Sequence, residues 1–188
     1  MTISPTGLVE NARGLGPSLA SRAEAIEAAR TLPDDVVADL RNADLFRLFV
    51  PKSLDGPELD VLTGMEVIFE VARHEGSAAW CVMIAGTTSL LAGFLTEEHA
   101  QAVYGPAESC TGGLAAPVGI AQETDGGLRV TGTWEWGSGT RHCTFVGGGT
   151  RLVDATGERI RRDDGLSAPF VFMDPEDVDF SDLSLIHI

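Results

Sequence analysis

At Gly105-Pro106 the spacing of apolar residues changes its period, and that change limits the fold more than any other feature of the chain. From Leu8 to about Tyr104 apolar residues recur three and four apart, the repeat that gives a helix one buried face. Beyond Pro106 glycine and β-branched residues become frequent, and Asp125-Gly126 separates PVGIAQET from LRVTGTWEWG as a hairpin turn would. Helices first and strands second predict an α+β chain: an N-terminal antiparallel helical domain over residues 1–106, then an antiparallel β-domain over 107–182.

Within the first segment, Pro17 after Gly16 suits a first helical position, with Leu19, Ala23 and Ile26 following on one face. Leu32-Pro33-Asp34-Asp35 ends that helix and opens another, with Val36, Leu40 and Ala43 inside and the two aspartates at its positive end. An extended loop, PKSLDGPELD, runs from Pro51 to Asp60. The spacing then predicts a third helix with Met65, Ile68, Phe69 and Ala72 on its apolar stripe, a fourth over the run that starts at Ala78, and a fifth capped by Thr96. In the second segment Cys143–Val153 and Ser167–Met173 read as further strands.

Composition narrows the partners. Thirteen basic residues against 28 acidic give a net charge of -15, a field that repels nucleic acid and anionic membrane surfaces, so small molecules or other protein chains are expected instead. The run Trp80–Leu95 carries no charge, but it is short for a bilayer span and broken by Gly86, Thr87, Thr88, Ser89 and Gly93; it reads as a buried helix. Cys81, Cys110 and Cys143 are odd in number and lack a CxxC spacing, which indicates neither a disulfide framework nor a zinc site and suits a reducing cytoplasm. Thr2-Ile3-Ser4-Pro5 after Met1 offers neither the basic start nor the apolar core of a signal peptide. Glu66, Glu70, His74 and Glu75 gather near one helical face, which reads as a solvated surface; no metal is expected.

Three stretches resemble the acyl-CoA dehydrogenase superfamily, in the family's order: Leu32–Asp60, Gly76–Gly86 (GSAAWCVMIAG) and Val130–Gly149 (VTGTWEWGSGTRHCTFVGGG). The first departs in carrying Asp55-Gly56 where the family usually has Gly-Gly. Gly112–Pro117 lacks the dehydrogenases' Thr-Glu-Pro and Gly-Ser-Asp signature, and WEWGSGTRHC replaces their Trp-Ile-Thr-Asn-Gly. Those departures move the resemblance towards the flavin-dependent monooxygenases of two-component hydroxylases, which act on aromatic or polycyclic compounds. It implies a partial antiparallel β-barrel or sandwich domain over 107–182 with a further strand at Pro175–Ser181, FAD or FMN as cofactor, a flavin reductase as partner and a homo-oligomer when full length. The family's third, helical domain would need roughly 200 further residues, so the chain reads as a fragment inactive by itself, with Leu183–Ile188 a truncation point or foreign tail. An acyl-CoA dehydrogenase using FAD on an acyl thioester, and a non-catalytic interaction module, stay open.

By position in the family's flavin-facing turn, Trp136 matches the aromatic that flanks the ring and Ser138 the hydroxyl that reaches its N5, which makes Ser138 the candidate catalytic residue. Gly137 and Gly139 would let the backbone approach the cofactor, and Arg141 would offer a cation to a flavin phosphate. Trp80 would line the substrate side. The residues alone also allow plainer roles: Trp134 and Trp136 two apart on one face of a strand, Arg141 a solvated strand-end charge, Trp80 a core tryptophan. His142 receives no proton-transfer role.

Overall fold

The computed structural model describes residues 4–181 and has helices followed by strands, as the change of period predicts. The suspected tail, Leu183–Ile188, lies outside the described residues. Two compact units form, and the division is not a single cut: the first comprises the chain through Gly112 together with Ser138–Thr144, the second Gly113–Gly137 and the chain from Phe145 onward.

The first unit contains α1 (Pro5–Ala29), α2 (Asp34–Asn42), α3 (Val61–Ala72), α4 (Gly76–Ser89) and α5 (Glu97–Tyr104). Ser4 opens α1 by accepting a hydrogen bond from the Gly7 amide at 3.1 Å, with Pro5 in the first turn. The helix therefore starts well before Pro17, which sits in its interior with no N–H to give. It survives the proline because Leu8, Val9, Ala12, Gly16, Leu19 and Ile26 form one buried face that continues past it. Asp34 and Asp35 occupy the first turn of α2, whose Val36, Val37 and Leu40 are buried. Asp60 caps α3 by accepting from the Leu62 and Thr63 amides.

α3 turns the opposite stripe inward from the one its spacing suggests. Gly64, Val67 and Val71 are buried, whereas Met65, Phe69 and Ala72 are exposed and Ile68 is half-buried. Both stripes are apolar, so periodicity alone cannot choose between them; the smaller one packs against α1 and α4, with the Phe49 ring seated on Gly64. Val61 and Leu62 extend the outward stripe. α4 buries Ala78, Ala79, Val82, Ala85, Gly86 and Ser89, then tightens into a 3-10 turn over Leu90–Phe94. By length and composition Gly76–Phe94 is sufficient to cross a membrane, and 39% of that window is buried here; Trp80, Leu90 and Phe94 are exposed. Arg47, only 4% exposed, donates to the carbonyls of Pro106 at 2.5 Å and Leu54 at 3.0 Å.

In the second unit β1 (Thr111–Thr124, its first two residues in the helical unit), β2 (Gly127–Thr131), β3 (Phe145–Val153) and β4 (Phe170–Met173) make one sheet in the order β2-β1-β3-β4. β1 and β2 pair antiparallel from Thr124↔Gly127 to Ile120↔Thr131, closed by Asp125-Gly126 with Gly126 at φ 90. β3 and β4 pair antiparallel from Val146↔Met173 to Gly149↔Phe170. The expected antiparallel pairing thus holds for both outer pairs. In the central pair the neighbours advance together, Gly113 by Gly147, Ala115 by Gly149 and Gln122 by Asp154, so it runs parallel and the sheet is mixed. Pro175–Ser181 forms no strand: Pro175–Asp177 is a 3-10 turn whose Asp174 cap accepts from the Glu176 amide at 2.9 Å. The proline has no ladder donor and the acidic neighbours favour turns.

Candidate functional site

The segment richest in expected site residues begins where β2 ends. Trp134 and Trp136 lie beyond the last paired residue, Thr131, so they do not share a strand face. Trp134 is half-buried; its indole rests over Gly119, Gly132 and Gly148, each of which would drive a Cβ into the ring, and its Nε1 donates to the Gly149 carbonyl at 2.9 Å. Trp136 has φ 65, a left-handed conformation that costs a residue with a Cβ roughly 1–2 kcal/mol, and is 48% exposed. Among the described non-glycine residues with positive φ it is the one aromatic. The backbone thus turns this indole outward while its neighbour is held down.

Gly137, Ser138 and Gly139 follow, all half-buried, and lead into a 3-10 turn over Thr140–His142 that leaves Arg141 exposed. Gly139 has φ 70, and a Cβ there would meet the Cys81 Sγ at 3.3 Å and the His142 ring at 3.3 Å, so both conformation and space require glycine. Cys81 follows Trp80 on α4, which places α4 beside this turn within the helical unit. Trp80 is 54% exposed and is therefore not a core residue. Burial pushes the Cys81 thiol up to about 12 and keeps it neutral.

The acidic cluster resolves into structural roles. Glu70 takes Arg13 at 3.0 Å and Arg73 at 4.0 Å, Glu75 caps α4 through the Ala78 amide, and the His74 ring covers Gly16. Sequence reasoning did not bring together Cys110, Cys143, His142 and Arg41. Thr144 donates its amide to the Cys110 carbonyl at 2.7 Å, Arg41 donates to the His142 carbonyl at 3.2 Å, and the His142 ring stacks on Phe46 at 5.2 Å. No short motif links residues 33 apart, and only the return of 138–144 to the helical unit unites them.

Helices leading into a mixed sheet, with an aromatic turn running into glycines between β2 and β3, define the class of fold seen in the helical and middle domains of acyl-CoA-dehydrogenase-like proteins. Residues 13–107 match the acyl-CoA dehydrogenase N-terminal domain, and the chain belongs to that family. It is 33% identical over 135 residues to the oxygenase subunit HsaA, a flavin-dependent monooxygenase of Mycobacterium tuberculosis, an overlap of 70% of this chain and 34% of that one. It is 29% identical over 151 residues to a pigment production hydroxylase of a Rhodococcus species, covering 78% of this chain and 39% of the relative. Among solved structures, XiaF from Streptomyces in complex with FADH2 and glycerol superimposes with a TM-score of 0.87 at 29% identity, over 96% of this chain and 44% of that one. The chain thus spans between a third and two fifths of the length of these curated relatives.

Proposed function

We propose that this chain is the helical and partial middle part of a flavin-dependent oxidoreductase, a reduced-flavin monooxygenase that hydroxylates an aromatic or polycyclic small molecule. The observation that carries the reading is Trp136: a bulky aromatic held at φ 65 and about half exposed, with Gly137 and Gly139 after it. An outward indole bordered by glycines fits the flat ring of FAD or FMN, and backbone strain at such a residue fits a binding role. When bound, reduced flavin supplies the electrons for oxygen chemistry.

In this reading Trp136 would stack on the flavin, Gly137 and Gly139 would let the backbone approach, the Ser138 hydroxyl would hydrogen-bond at its N5, and Arg141 would answer a phosphate. Trp80, exposed on α4, contacts the substrate. Relatives named as flavin-dependent monooxygenases or aromatic hydroxylases support the class, among them the oxygenase component of p-hydroxyphenylacetate 3-hydroxylase of Acinetobacter baumannii. An oxygenase component implies a flavin reductase that delivers reduced flavin. The same reading takes the protein as a cytoplasmic homo-oligomer that binds neither nucleic acid nor membrane. The family match favours one competitor, an acyl-CoA dehydrogenase with FAD.

Anaerobic titration of the full-length protein with reduced FMN, reduced FAD and oxidised FAD plus an acyl-CoA separates the two. Quenching of tryptophan fluorescence by a reduced flavin, lost in Trp136→Ala, is expected. Bleaching of bound FAD by acyl-CoA supports the dehydrogenase, and a folded full-length protein that takes up none of these flavins overturns both.

A further inference from the structure

The Cys110 and Cys143 sulfurs lie 3.9 Å apart, both buried, inside the helical unit. Their backbones are pinned side by side, because Thr144 donates its amide to the Cys110 carbonyl and its Oγ1 accepts from the Cys110 amide at 3.1 Å. A disulfide needs an S–S separation of about 2.05 Å, which leaves about 2 Å for side-chain rotation to close without moving either segment far. The Arg41 guanidinium, which donates to the His142 carbonyl, brings a positive charge close by, and both Arg41 and His142 favour a negative charge on Cys110.

The two thiols differ in character. The Cys143 hydrogen bond, ahead of His142 and Arg41, holds the Cys110 thiol below its ordinary range against the cost of burial. The same partnership, with burial, raises Cys143, which keeps its proton and points it to the Gly139 carbonyl at 3.2 Å or to Cys110. One sulfur is thus prepared as nucleophile and the other as a protonated neighbour, the division that a dithiol oxidation uses. Burial keeps Cys81, beside Gly139, neutral.

We infer that Cys110 and Cys143 form a redox-active dithiol that is oxidised by hydrogen peroxide or a small organic hydroperoxide to an intramolecular disulfide. The Cys110 sulfur attacks the peroxide; an S–O bond forms, the O–O bond breaks, and the leaving oxygen departs as water or alcohol after taking a proton, leaving a sulfenic acid. The Cys143 sulfur then attacks Cys110; the S–S bond forms, the S–O bond breaks, and the hydroxyl leaves as water with the Cys143 proton. Two thiols are oxidised and one peroxide is reduced. Cys143 directly follows the turn that carries Arg141, so the bond ties that turn to the start of β1. The inference stands on the thiol geometry and does not require a bound flavin.

Digestion after glutamate puts the three thiols on separate peptides, Gly76–Glu97, Ser109–Glu123 and Trp136–Glu158, which makes the test direct. The folded chain is treated with stoichiometric hydrogen peroxide, alkylated, digested and analysed by mass spectrometry. The expected product joins Ser109–Glu123 to Trp136–Glu158 with the loss of two hydrogens, while Cys81 stays alkylated and the joined peptides separate on reduction. Cys143→Ser should instead accumulate a Cys110 sulfenic acid that dimedone traps. All three cysteines alkylated after peroxide, or oxidation confined to Cys81 or linking Cys81, overturns the inference, and the unsubstituted chain decides it even if the serine variant fails to fold.

Discussion

The sheet under Trp134 and the turn that opens at Trp136 are two residues apart, and they use tryptophan in opposite ways. At the sheet, glycines clear the space: Gly119, Gly132 and Gly148 form a floor without side chains, and the indole supplies the volume that a row of valines would supply elsewhere. At the turn the backbone takes a left-handed conformation and the ring is turned outward. Packing density is the purpose of the first arrangement, presentation of a surface that of the second. Residue type alone does not distinguish a structural tryptophan from a functional one; what lies beneath the ring does.

Substitutions can break that contrast. Trp134→Ala should cost the most, about 3 kcal/mol, because it empties the space over three glycines and leaves the Gly149 carbonyl without its donor; the midpoint of urea unfolding by far-UV circular dichroism measures it. Gly148→Ala approaches the same contact from below. Its methyl would lie 2.6 Å from the indole, whose rigid ring is anchored by a hydrogen bond, so a loss of about 1–3 kcal/mol is expected in the same unfolding measurement. Trp136→Gly should change stability by less than about 1 kcal/mol, since relief of the left-handed backbone offsets the lost partial burial, yet it should abolish fluorescence quenching by reduced flavin. Equal losses from Trp134→Ala and Trp136→Gly would erase the distinction.

Much of the architecture was legible in the chain. The change of period at Gly105-Pro106 located the passage from helix to strand, Asp125-Gly126 the hairpin, and Thr96 the cap of α5. Three things were not. Pro17 suggested a beginning, but a continuous buried face carried α1 through it. α3 offers two apolar stripes, and which one enters the core depends on how closely its neighbours must approach, a tertiary property. The parallel central pair depends on the path of residues 125–144, which no local period records. At the candidate site the sequence placed Trp136–Arg141 in one segment, but neither the left-handed conformation of Trp136 nor the neighbouring thiol pair has a signature in residue order.

Arg47 has a consequence for how the helical unit assembles. Its guanidinium is bound by carbonyls from Leu54, seven residues away, and Pro106, 59 residues away, in a place with almost no access to solvent. Loss of either carbonyl would leave a buried guanidinium N–H without its acceptor, at a cost of about 1–3 kcal/mol, even with Asp44 still paired to the Arg47 Nε at 3.8 Å. The burial of α2's trailing segment is thereby coupled to the arrival of the residues that follow α5, and partly folded states that seat one without the other are penalised. A single buried arginine thereby links two segments of this unit that lie far apart in the chain.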